Sequence, residues 1–156
     1  MWRRAVLTVA IAVVAWSVQD AVVWRLLSGR WRFDHDPVHG AIYQVVHQDV
    51  LVAFIAIGAI WLARSYWHAA WFVAATWTLC YGGLSDALYY WIALQPIPET
   101  LPWLDDPGHI VVLFHPATTG SILLSSAVWV TIWTVALLLG NLTCRAASRW
   151  ARTPSG

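Results

Sequence analysis

Apolar residues run through this chain in four long blocks, and the polar residues collect between them. The blocks cover residues 5–27, 41–63, 69–94 and 118–142. Each supplies the roughly 20 apolar residues that a helix rising 1.5 Å per residue needs to cross a hydrocarbon core. The pattern predicts an all-α integral membrane protein, a four-transmembrane-helix bundle forming one domain over residues 1–156. The run from Ala5 to Leu27 is long for a signal peptide and no small-residue cleavage site follows it, so it reads as a span.

The connections differ in kind. The first is polar and carries Asp34, His35, Asp36 and His39. The second, Arg64–His68, is short enough to make spans two and three an antiparallel hairpin. The third, Gln95–Ala117, holds Pro96, Pro98 and Pro102, which forbid a long helix at its start. Asp105-Asp106-Pro107 then has the form of a helix start, with Asp as cap and Pro in the first position. The apolar stretch Gly108–His115 stops before Pro116, which disfavours helical geometry in the residue preceding it. A short interfacial or re-entrant helix before the last span is therefore expected; the alternative is a single fourth helix kinked at Pro116.

Composition sharpens this picture. Only 11% of residues are charged, against about a quarter in a soluble domain. The net charge of +1 and the absence of Lys leave no basic footprint for nucleic acid. With four spans both termini share a side, and that side holds six of the nine Arg. Cytoplasmic flanks carry the excess of Arg, so both termini are expected in the cytoplasm, in a plasma membrane of bacterial or archaeal type. Trp2, Trp24, Trp61, Trp67, Trp91 and Trp103 sit near span ends, where amphipathic rings favour the headgroup layer. Cys80 and Cys144 fall at different depths and in no metal-type spacing.

On this topology all eight acidic residues and five of the six histidines fall on the outer side; His68 alone lies on the inner side. Asp20, Asp49 and Asp86 lie within spans, where a carboxylate is costly and normally faces a partner, a cavity or a site. His47 and Asp49 are neighbours in sequence but point about 160° apart on a helix. Asp86 follows Gly82-Gly83 and Ser85 and precedes Tyr89 and Tyr90. Taken singly, Asp86 also reads as a structural hydrogen-bond anchor, and Asp20 as a snorkelling or capping residue.

Together, His47, Asp86, His109 and His115 supply the imidazole nitrogens and carboxylate oxygen that bind zinc or iron. Such a site lowers the pKa of a bound water for attack on an ester or amide, with Asp86, Asp49 and Ser85 as candidate catalytic groups. No HExxH-type spacing accompanies them. The first expectation is a small metal-assisted enzyme acting on a lipid or lipid-linked substrate at the outer leaflet. A second is a non-catalytic subunit or transporter, alone or with a membrane partner or second copy, whose buried carboxylates form a proton or substrate path. A third is a haem or pigment protein with His47 and His115 as axial ligands.

Overall fold

The computed structural model describes residues 1–28, 37–105 and 111–150. They form five α-helices: α1 (Trp2–Ser28), α2 (Pro37–Leu62), α3 (Tyr66–Tyr81), α4 (Leu84–Ile92) and α5 (Thr119–Trp150), with a 3-10 turn at Pro102–Asp105. No strand forms among the described residues, only an isolated antiparallel bridge between Thr100 and Thr118. Among the described residues, three helices are long and apolar enough to cross a membrane, over Trp2–Val23, Ala41–Leu62 and Thr119–Cys144.

The expected third span is not one helix. It breaks at Gly82-Gly83 into α3 and α4. Gly83 sits at φ 99, in the left-handed region that side chains disfavour, and a Cβ there would lie 3.0 Å from the Ile122 Cβ. At Gly82 a Cβ would lie 2.7 Å from the Trp129 ring. The pair of glycines thus lets the chain turn where Ile122 and Trp129 of α5 press against it.

α3 packs on α1, α2, α4 and α5, and α1 packs on α2, α3 and α4. Its buried positions Ala5, Val9, Ala12, Val13, Trp16 and Ser17 recur three and four apart, while Leu7, Ile11, Val14 and Val18 lie exposed. Large apolar side chains outside and a packed interior are what lipid surroundings require, since lipid gives helices no hydrophobic reason to associate. Close packing does that work instead. Phe72 of α3 lies so near Gly58 of α2 that a Cβ would come within 2.2 Å of its ring.

The connection before α5 has a small core of its own, made by Leu101, Leu104, Val112, Ala117 and Ile122. A helix over Gly108–His115 does not appear in the part that is described: Val111–Ala117 are non-helical, and 106–110 lie outside the described residues. The reason is visible in its hydrogen bonds. The backbone groups of this stretch are taken by α5 and by the Thr100 strand-like bridge rather than by each other. The Leu113 N–H donates to Ser125 Oγ at 3.2 Å, and the Val111 carbonyl accepts from Trp129 Nε1 at 2.8 Å. The chain therefore runs down beside α5 to a point two to three turns below its start. The His115–Pro116 peptide is cis.

Candidate functional site

One half of the molecule gathers polar side chains from three helices. From α1 come Gln19 and Asp20, from α2 Tyr43 and His47, and from α4 Asp86, Tyr89 and Tyr90. The phenolic hydroxyl of Tyr43 donates to Asp20 Oδ1. His47 is clamped between two rings, with Trp16 stacked at 4.2 Å and Tyr43 at 5.4 Å between centroids. Its Nδ1 is 2.9 Å from Gln19 Oε1, and its carbonyl accepts from Trp16 Nε1 at 3.1 Å. Trp103 Nε1 reaches Asp86 Oδ1 at 3.4 Å from the 3-10 turn above.

Asp20 and Asp86 are close enough for the charge of one to act on the other, and both act on Tyr90. Two half-buried carboxyls thus stand on packed helices, Asp20 on α1 and Asp86 on α4, with tyrosines beside them. Asp86 lies in the first turn of α4, where the helix N-terminus favours negative charge. Ser85 is turned the other way: its hydroxyl donates at 2.5 Å to the Cys80 carbonyl that the break deprives of a helical partner.

Two pieces of irregular backbone meet beside this pair. One is the Gly82-Gly83 break; the other is the non-helical stretch descending from Ala117 to Val111. Trp129 joins them, resting its ring on Gly82 and giving its indole N–H to Val111. Irregular backbone at membrane depth is tolerated where protein covers it or where it lines a cavity.

Higher up, His115 Nδ1 and Asp105 Oδ1 are 2.7 Å apart, and the same oxygen accepts from the Ala117 N–H at 2.8 Å. The hydrogen bond from His115, then that from Ala117, hold the Asp105 carboxyl below the usual aspartate range.

The expected metal set is distributed as follows. His47 is bonded to Gln19, Asp86 to Trp103 and His115 to Asp105. His109 lies outside the described residues, as do Asp34, His35, Asp36 and Asp106. Among the described residues no three His, Cys, Asp or Glu side chains gather as a metal ion would require. Asp49 is exposed on α2 while His47 is half-buried, as the helical angle between them demands. Gln19, Tyr43 and Trp103 complete the site, and Asp20 belongs to it as a member rather than as a cap. The sequence hints at this twice: Asp20 is a carboxylate within a span, and Gln19 and Asp20 lie at the depth of Tyr43 and His47 once α1 and α2 are antiparallel.

Comparison with protein-family models, with curated proteins and with solved structures finds no match for the chain. The chemistry of the site has to speak for itself.

Proposed function

We propose that this chain is a four-crossing membrane protein, α3 and α4 together making the third crossing, which conducts protons or a small cation through the Asp20–Asp86 pair. The excess of Arg on the side that holds both termini supports a cytoplasmic location for them under this reading. The observation that carries it is the juxtaposition of the carboxyl pair with a helix broken at membrane depth. Discontinuous spans in transporters place helix ends and unpaired backbone groups around a central binding site. Two carboxyls in range of one another repel when both are ionised, so a proton or cation between them relieves the pair. Tyr43 and Trp103 keep the two groups oriented.

Reconstitution of the full chain into liposomes with an internal pH dye and an imposed potential tests this. Proton entry above that of protein-free vesicles is expected, with Asp20→Asn and Asp86→Asn each abolishing it. Wild-type vesicles no leakier than empty ones would end the reading.

One feature favours the metal-assisted alternative. His47 and His115 are each held through Nδ1, leaving Nε2 as the ligating nitrogen, the manner in which ligand histidines are commonly oriented. That site needs His109 beside them, and a zinc or iron would activate water against a lipid-linked ester. Elemental analysis and an absorption spectrum of the purified protein separate the readings: stoichiometric zinc or iron without a Soret band favours the enzyme, a Soret band the haem protein, and neither the conducting carboxyl pair.

A further inference from the structure

We propose that two copies of this chain pair in the membrane through the outward face of α2, with Asp49 at the centre of the contact. The proposal takes from the proposed function only that α2 crosses the membrane.

The buried side of α2 is marked by Leu51, Gly58 and Leu62. At 100° per residue Asp49 points about 180° from Gly58, straight out of the bundle. It stands eight residues inside the apolar stretch that begins at Ala41, about 12 Å along the helix. An ionisable group there is costly against lipid and normally faces another polar group. Nothing in the described part of the chain covers it.

The face around it has the spacing of a helix–helix contact. Ile42, Val45, Asp49, Val52 and Ala56 recur three and four residues apart, and all are exposed, Val45 by 59% and Val52 by 54%. Ala56 is small enough to let two backbones approach closely there, and Val45 and Val52 supply apolar contact on either side of Asp49.

The complementarity of this face selects a second copy as its occupant. Two identical membrane chains related by a two-fold axis along the membrane normal bring their α2 helices together in parallel. In parallel knobs-into-holes packing, Asp49 of one helix then enters the hole formed by Val45, Gln48, Asp49 and Val52 of the other. Gln48 is exposed beside the stripe. Its amide N–H donates to the Asp49 carboxylate of the second copy, and the contact repeats with the roles exchanged, so that two Gln48 amides with two donors each offset the repulsion of the two Asp49 side chains that share this layer. The seam thus carries both the acceptor and the donor at the same depth, whereas an unrelated helix would have to supply a donor there by itself.

The test uses the full chain with Cys144→Ser, which removes the exposed native thiol and leaves the buried Cys80. Val52→Cys in that background is oxidised in native membranes. A species of twice the chain mass is expected, and none from Leu139→Cys on the exposed side of α5. Adding Asp49→Leu or Gln48→Leu should lower the cross-linked fraction by about tenfold, the order of one interhelical polar contact in a membrane, while Asp49→Asn should preserve it. Helicity by circular dichroism shows that each variant is folded; if Asp49→Leu is not, Gln48→Leu decides. Absence of the Val52 cross-link, cross-linking to a protein of another mass, or indifference to both Leu substitutions would overturn the pairing. Proton flux plays no part in this readout, so failure here leaves the carboxyl-pair reading standing, and the reverse.

Discussion

Trp16 and His47 are joined twice: their rings stack 4.2 Å apart, and the Trp16 Nε1–H donates to the His47 carbonyl at 3.1 Å. α1 and α2 are therefore fixed in register by a contact whose partner lies 31 residues away. The same contact sets the plane of the imidazole, so that Nδ1 meets Gln19. Fold and site share this one joint.

Trp16 substitutions should separate the two parts of that joint. Trp16→Phe keeps a ring on His47 but loses the hydrogen bond, and should cost about 0.5–1.5 kcal/mol. Trp16→Ala also empties a buried volume and should cost about 3–5 kcal/mol. Equilibrium unfolding in mixed micelles measures both. Equal losses would mean that the stack contributes nothing.

Gly58 and Gly82 offer a contrast between fold and function. A methyl at Gly58 strikes the Phe72 ring, far from the carboxyl pair, and a methyl at Gly82 strikes Trp129 and the Thr78 carbonyl at the break. Each overpacked contact should cost about 1–3 kcal/mol. Only Gly82→Ala should also lower proton flux, because it displaces the Trp129 that links the break to Val111. Flux measured at a temperature where both variants remain folded checks this.

How far the sequence foretells this arrangement depends on the range over which each feature is decided. Hydropathy averages over some twenty residues, and it places α1, α2 and α5 because each is uniformly apolar for that distance. The 100° step separates His47 from Asp49 for the same reason, since it needs only a regular helix. Gly82-Gly83 signals close approach or distortion in the sequence. The choice of a full break is made by Ile122 and Trp129, which lie about forty residues on. Asp20 has no sequence neighbour that marks it as part of a site; Tyr43, its partner, is 23 residues away. The helix expected after Pro107 fails in Val111–Ala117 because Ser125 and Trp129 take the backbone groups it would use, and no local propensity encodes that competition.

The clasp between Asp105, His115 and Ala117 should respond to acid. The folded Asp105 carboxyl titrates below its ordinary value, held there by His115 first and Ala117 second. A depressed carboxyl adds stability that is fully present above its unfolded pKa and disappears as pH falls through the folded one. The clasp should therefore hold at neutral and mildly acidic pH and open only below the normal aspartate range. Exchange of the Ala117 amide hydrogen followed against pH reads this directly. Corrected for the intrinsic rate at each pH, the Ala117 amide of Asp105→Ala should be unprotected throughout, and wild-type protection lost already near pH 6 would contradict the assignment.

His68, near the start of α3, should matter for stability and not for conduction. It is buried, with Nδ1 2.7 Å from Ser65 Oγ and Nε2 3.3 Å from Asn141 Oδ1. The Asn141 amide is itself oriented, because its Nδ2 donates to the Leu137 carbonyl at 2.8 Å. Its Oδ1 must then accept, so the hydrogen lies on His68 Nε2. The chain from Ser65 to Leu137 ties the start of α3 to α5 at the end of the bundle opposite the carboxyl pair. Beside it, Trp67 lies against Gly140 so closely that a Cβ there would fall 2.2 Å from the indole. Replacing His68 by Ala leaves a void and strips Asn141 Oδ1 of its donor, so a loss of about 2–4 kcal/mol is expected. His68→Gln keeps a donor near Asn141 and should lose less. Both variants, once folded in liposomes, should conduct protons as the wild type does. Loss of conduction in a fully folded His68→Gln protein would move the path to the inner end of the bundle and away from Asp20 and Asp86.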